Sequence, residues 1–363
     1  MSTRLIHSVM NFAGLLFAVT CVAQSTGGTD PPKTSLSDTI TTSVAVVITP
    51  ATVRAKSGKF VSDLQIQDFE VYDNNRLQKV TADLRDSPFS MVVAIQRSAD
   101  MTGLLPKVQR IGLALTDLVA GQDAEIAVVA FDHRVQIAQD FTGDSDKVCQ
   151  AMKQLKTGSY SHAAIDAVME SVRMLQNAPR DRRRIVLVVA ERWDKGSRAS
   201  LREALLEAQL ANVTIYSLNV STTAAEATSE PRPQPPPSVP TTAQHVPAGA
   251  PLTPTTIDQN YYLGNWVPLV ENGFYSVKDA FTDNTLEVFT RFTGGEGYSF
   301  HGQRALDKAL QSLTEDLHSQ YVLSYSPNNL NQGGFHEIRV AVKRQGGLVV
   351  RTRPGYWVAG KPN

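Results

Sequence analysis

Three polar residues at alternate positions, Gln96, Ser98 and Asp100, follow the apolar run Met91–Ile95 and precede a long amphipathic segment. An amide, a hydroxyl and a carboxylate so close together are oxygen donors of the kind that hold a hard cation or bind one another. A buried strand feeding a loop and then a helix is where open α/β sheets place their ligands. The loop is therefore the first candidate for chemistry in this chain.

The elements needed to position it can be read from residues 88–318. Met91–Ile95 is a strand without a polar face, as expected for one covered on both sides. Leu104, Leu105, Val108, Ile111, Leu115, Leu118 and Val119 then recur at helical spacing. Ile126–Phe131 and Val135–Phe141 predict a hairpin about Asp132-His133. Helices are expected over Asp144–Leu155, His162–Leu175 and Ser197–Leu210, and strands over Ile185–Ala190 and Val213–Val220. Such alternation predicts an α/β, Rossmann-like domain: a mainly parallel sheet with helices on both faces. Residues 222–260 contain a proline-rich stretch that cannot build a core and reads as a disordered loop; Tyr261, Tyr262 and Trp266 are expected to pin it back onto the domain, the alternative being a contact patch for a partner. Beyond it come a helix over Ala280–Phe292, a turn at Thr293–Gly297 and a helical stripe of Leu306, Leu310, Leu313 and Leu317.

Short β segments flank this region, over residues 43–87 and 319–358. Val44, Val46 and Ile48 alternate before a turn at Pro50, and Phe69–Asp73 alternates before Asn74-Asn75. On the far side, Tyr321–Tyr325, His336–Lys343 and Leu348–Tyr356 read as strands. Each segment has too few strands to bury an apolar face alone. They are expected to pair into one small β domain, setting Val44, Val46, Phe69 and Val71 against Val322, Ile338, Val340 and Val350. The α/β domain is then an insertion.

Composition narrows the function. The 363 residues carry 35 basic and 35 acidic side chains, a balance that argues against a nucleic-acid partner. Arg4 and His7 precede an apolar stretch, Phe12–Val19, with small residues near Ala23, so residues 1–23 read as a signal peptide and 24–42 as a flexible leader. That stretch is too short to span a bilayer, and no later run approaches a span. The protein is expected to be exported, periplasmic or extracellular. Acylation at Cys21 is the alternative, and Cys149 reads as a core residue.

Val61-Ser-Asp-Leu-Gln-Ile-Gln-Asp-Phe-Glu-Val-Tyr-Asp73, Ser319-Gln-Tyr-Val-Leu-Ser-Tyr-Ser326 and Arg353-Pro-Gly-Tyr-Trp357, together with the loop after Ile95, resemble the bacterial exported group called VWFA-related in Acidobacteria. The resemblance covers roughly residues 43–358 apart from the proline loop. It implies a von Willebrand factor type A (VWA) fold and an adhesion-type protein partner of unknown identity. It also implies three loops that, in metal-binding members of the superfamily, supply Asp and two Ser, a Thr, and an Asp. Here those positions hold Gln96, Ser98 and Asp100; then Ser161 or His162; then Glu191, with Asp194 nearby.

Ser98 alone keeps its type. Gln96 offers one neutral oxygen where a carboxylate belongs, and an imidazole suits Mg²⁺ or Ca²⁺ poorly. The favoured expectation is therefore a degenerate site without a cofactor, held by hydrogen bonds, with Arg97 or Arg192 pairing Asp100 and Glu191. The alternative is a Mg²⁺- or Ca²⁺-dependent adhesin using Ser98, Asp100 and Glu191. Ser98, His162 and Glu191 also invite a hydrolase reading, but no nucleophile elbow accompanies them, and a non-enzymatic module is expected.

Overall fold

The computed structural model describes residues 46–119, 124–179, 181–220, 284–329, 334–344 and 346–358. The expected signal peptide, leader, proline-rich loop and linker aromatics lie outside them. Among the described residues, no helix is long and apolar enough to cross a membrane.

The strands β1 (Val47–Arg54), β2 (Phe69–Asp73), β3 (Arg76–Gln78) and β4 (Val80–Asp83) come first. The α/β unit follows with β5 (Phe89–Gln96), α1 (Leu105–Val108), α2 (Ile111–Val119), β6 (Ala124–Phe131), β7 (Val135–Thr142), α3 (Ser145–Lys153) and α4 (Ala164–Gln176). It continues with β8 (Arg183–Glu191), α5 (Leu201–Leu210), β9 (Val213–Val220), α6 (Thr285–Thr293), β10 (Gly297–Phe300) and α7 (Gln303–Ser319). The chain closes on β11 (Tyr321–Tyr325), β12 (Gly334–Val342), β13 (Val349–Thr352) and β14 (Gly355–Val358).

A six-stranded sheet in the order β10-β9-β8-β5-β6-β7 is the centre of the α/β unit. Every pair in it is parallel except the β6–β7 hairpin. All eight residues of β5 are buried, which explains its lack of a polar face. Phe89, Met91, Val93 and Ile95 pack with α1, α2, α3 and α7, while Val92 and Ala94 pack under α4, α5 and α6. Apart from Ala94, each such side chain contributes about 1.5–3 kcal/mol relative to exposure. The segment expected as one helix after the loop is instead a single 3₁₀ turn, Ala99–Met101, then α1 and α2. Pro106 opens α1, and the break falls at Gln109, whose Nε2 donates to the Leu155 carbonyl.

The flanking segments pair, but into two four-stranded antiparallel sheets rather than one small sheet: β13-β1-β11-β4 and β14-β12-β2-β3. They share one core containing Val47, Val53, Phe69, Val71, Leu323, Ile338 and Val340. Asn74 and Asn75 both take positive φ in the tight β2–β3 turn.

Three expectations here need correction. Pro50 lies inside β1 rather than at a turn. Its carbonyl accepts Thr352 Oγ1 on the β13 side, and β13 pairs only with residues 51–54, so its missing N–H costs no ladder bond. The phase of β1 is also opposite to the one read from the sequence: Val46 is 49% exposed, whereas Val47, Ala51 and Val53 face the core. Val44 lies outside the described residues. The alternation misled because β1 is covered on both faces. Thr52 Oγ1 donates to Asp316 Oδ1 of α7, and Pro50 lies against Gly294. Finally, Leu348–Tyr356 is not one strand. The chain breaks at Arg353-Pro354 and passes from one sheet to the other. The expected turn after α6 is present, with Gly294 in the left-handed conformation, and β10 begins at Gly297.

The α/β unit leaves and rejoins the sandwich through neighbouring strands. β4 pairs with β11, Leu84 N–H donates to the Val322 carbonyl, and Val322 N–H donates to Asp83 Oδ1. Asp316 ties the junction by accepting from Thr52, Tyr298 OH and Arg351 Nη2.

Candidate functional site

β5 connects toward β6 on one side, and β8 connects toward β9 on the other, so the strand order diverges between β5 and β8. In open α/β sheets the crevice beyond the carboxyl ends at such a point is the ligand position. The last residues of these strands are Gln96 and Glu191.

Gln96 is fully buried, and its amide joins the two strand ends. Its Oε1 accepts the Glu191 backbone N–H at 2.8 Å. Its Nε2 donates to Glu191 Oε2 at 2.9 Å and to Ser98 Oγ at 2.7 Å. A backbone N–H can only donate, which fixes the amide's orientation. Its hydrogens, not an oxygen lone pair, therefore face Ser98 and Glu191. That arrangement does not fit a hard cation needing near-octahedral oxygen ligation at this position.

The second loop is built against the first and third. Arg97 N–H donates to the Phe131 carbonyl, Gly158 N–H to the Arg97 carbonyl, and Ala99 N–H to the Ser159 carbonyl. Gly158 is required by this approach, since a Cβ there would stand 2.0 Å from Asp132 Oδ2. Asp132, at the end of β6, accepts N–H groups from Arg134 and Ser159 and pairs with Arg97 at 3.3 Å. Burial alone would raise its pKa, but these donors and the guanidinium together hold it below the usual carboxylate value.

His162, rather than Ser161, faces the carboxylates. Its side chain is fully buried, with Nδ1 3.8 Å from Glu191 Oε2. Nε2 lies 2.8 Å from the Trp193 carbonyl, which can only accept, so Nε2 carries the proton. Nδ1 makes no hydrogen bond. Burial pushes the imidazole pKa down, over the opposing pulls of the Trp193 carbonyl and Glu191, and keeps the ring neutral near pH 7. Ser161 instead donates to the Lys195 carbonyl.

Asp100 is buried in the 3₁₀ turn, and its Oδ2 lies 3.9 Å from Lys195 Nζ. Asp100, His162 and Glu191 each present a ligand atom within 4.8 Å of the others. Asp194 points elsewhere. It accepts from Ile165 N–H and from Ser197 Oγ and N–H, capping the first turn of α4, whose own N-cap residue, Ala163, has no side-chain oxygen.

The structure thus brings Gln96, Ser98, Asp100, His162 and Glu191 together and assigns Asp194 to the scaffold. The arginine pairing takes a different form: Arg97 bonds Asp132, while Lys195 and Gln96 are partners of Asp100 and Glu191. Asp132 and Lys195 were missed; the polar Asp132-His133 step in the hairpin was the only available signal for the former. For the hydrolase arrangement, Ser98 is fully buried and no hydrogen bond joins it to His162. A serine nucleophile needs its base within hydrogen-bond reach.

No family model matches the chain, and no curated protein matches it. Solved structures do. The conserved hypothetical protein BatB from Bacteroides thetaiotaomicron is 16% identical over 36% of this chain and 66% of its own, with a TM-score of 0.30. The vWF domain of the type V pili tip protein Mfa5 from Porphyromonas gingivalis is 18% identical over 29% and 38%, with a TM-score of 0.26. An aerotolerance-related membrane protein from Bacteroides fragilis is 13% identical over 62% and 98%, with a TM-score of 0.36. The chain spans about two thirds of the first of these and under two fifths of the second.

Proposed function

We propose that this chain is an exported, non-enzymatic protein-interaction module of the VWA type. Its strand-end loops form the contact surface, and its version of the superfamily's metal position is degenerate. The observation that carries this reading is the Gln96 amide. With three hydrogen bonds it joins β5, β8 and the first loop, the junction that a hard cation makes in metal-binding members. On the loops around that closed centre are exposed aromatic side chains: Trp193 is 39% exposed and Tyr160 37%. Amphipathic aromatic rings of this kind dominate protein contact surfaces. Export rests on the basic start and the apolar stretch Phe12–Val19.

Two measurements test this. Calorimetric titration with Mg²⁺ and with Ca²⁺ is expected to give no saturable heat up to millimolar concentration. Affinity capture from envelope extracts is expected to yield a protein that Trp193→Ser and Tyr160→Ser both lose. Micromolar binding of either cation, abolished by Asp100→Ala, would replace this reading with the Mg²⁺- or Ca²⁺-dependent adhesin.

A further inference from the structure

Two acceptors face each other in the centre of this site with no hydrogen between them. His162 Nδ1 carries a lone pair, because the ring's proton is committed through Nε2 to the Trp193 carbonyl. It is fully buried, makes no hydrogen bond, and lies 3.8 Å from a carboxylate oxygen of Glu191. Burying such a nitrogen without a partner is unfavourable. Asp100 supplies a second carboxylate, with all three ligand atoms within 4.8 Å of one another. A divalent cation could take an electron pair from each of the three at once.

We propose that Asp100, His162 and Glu191 form a site for a borderline divalent transition-metal ion, with Zn²⁺ the type case, in place of the hard cation that the wider superfamily takes.

The donor set favours this class. One imidazole nitrogen and two carboxylates suit Zn²⁺ and its neighbours, whereas Mg²⁺ and Ca²⁺ prefer oxygen alone. The support behind the ring matches as well. Metal-bound histidines characteristically donate their second ring N–H to a carbonyl or carboxylate, which fixes tautomer and orientation. Trp193 provides that carbonyl, and Lys195 N–H donates to the His162 carbonyl, so the third loop holds both the ring and its backbone.

The geometry needs little adjustment. Zinc bonds of ~2.0–2.1 Å in a tetrahedron space donors roughly 3.3 Å apart, so no pair needs to close by more than about 1.5 Å. Glu191 Oε2 has a second lone pair beside the one that takes Gln96 Nε2, so that bond survives. The Lys195 ammonium, 3.9 Å from Asp100 and 41% exposed, must swing outward. Three protein ligands leave one coordination position open.

The test uses the full chain, stripped with chelator and then titrated with Zn²⁺ by calorimetry and with Co²⁺ by visible ligand-field absorption. One equivalent of Zn²⁺ is expected to bind at micromolar affinity or tighter, with Co²⁺ giving a histidine- and carboxylate-dependent spectrum. His162→Phe is expected to weaken Zn²⁺ binding at least a hundredfold. Asp100→Asn, which preserves shape, is expected to weaken it at least tenfold, should the phenylalanine variant misfold by circular dichroism. Absence of stoichiometric binding, or binding unchanged in the variants that fold, would overturn the proposal. Neither result bears on capture of a partner by Trp193 and Tyr160, so this inference and the interaction reading fail independently.

Discussion

Replacing Gln96 by glutamate changes one NH₂ to an oxygen and nothing else in shape, so it isolates what the amide does. The new oxygen would stand 2.9 Å from Glu191 Oε2, where Nε2 now donates. At an effective dielectric constant of about 20, two unit charges at that separation repel by about 6 kcal/mol. The pair avoids this by keeping one proton, which then bridges the carboxylates as the amide hydrogen did. Holding a proton at pH 7 on a group with an ordinary pKa of about 4.3 costs about 1.36 kcal/mol per pH unit, or about 3.7 kcal/mol. The folded-state pKa is raised, so the folded form binds the extra proton, and the penalty grows as pH rises. Urea unfolding of the wild-type chain and Gln96→Glu in chelator should show a gap of about 3–4 kcal/mol at pH 7, shrinking by about 1.4 kcal/mol per unit and closing near pH 4.3. A gap below about 1 kcal/mol at pH 7, or one that does not change with pH, would refute the account of Gln96 as the bridge.

Asp132, with its pKa held low, contributes stability that is present above the ordinary carboxylate value and is lost as pH falls through the lowered one. Asp132→Asn should therefore flatten the acid limb of the stability profile below the ordinary carboxylate value of about 3.9, measured by thermal unfolding, while costing stability at neutral pH. Asp316→Ala strips Arg351, Thr52 and Tyr298 of their shared acceptor at the junction. It should cost about 3 kcal/mol, and calorimetric scanning should show the lower transition; a loss under about 1 kcal/mol would mean that the junction does not depend on this carboxylate.

What the sequence reveals about this protein follows from how local the cause is. β5 announces itself because covering a strand on both sides removes every polar residue from Met91 to Ile95. α7 does so because Leu306, Leu310, Leu313 and Leu317 recur at the helical period, and all four pack on the sheet. β1 defeats the same reasoning. Its second face is covered by residues roughly 240–260 positions away, so Pro50 and Thr52 are buried, and the visible alternation of valines points the wrong way. The site divides along the same line. Its position after β5 follows from where open α/β sheets place ligands and that after β8 from the family resemblance, but its partnerships follow from neither. Nothing local says that Arg97 will choose Asp132 over Asp100, or that Asp194 will cap α4 in place of Ala163.

The junction between β4 and β11 also sets an order of events. The sandwich closes only when strands on either side of residues 84–320 meet. Were that stretch a flexible coil, bringing the ends of roughly 240 residues together would cost about 5 kcal/mol in chain entropy. Once the α/β unit has formed, its first strand and last helix already hold those ends side by side, and the cost has been met. Completion of the sandwich thus waits on the inserted unit. During synthesis the early strands β1 to β4 must remain unpaired with β11 until most of the chain has emerged. Slow or failed folding of the α/β unit would expose their edges, and damage near the loops would first appear as misassembly at the opposite end of the molecule.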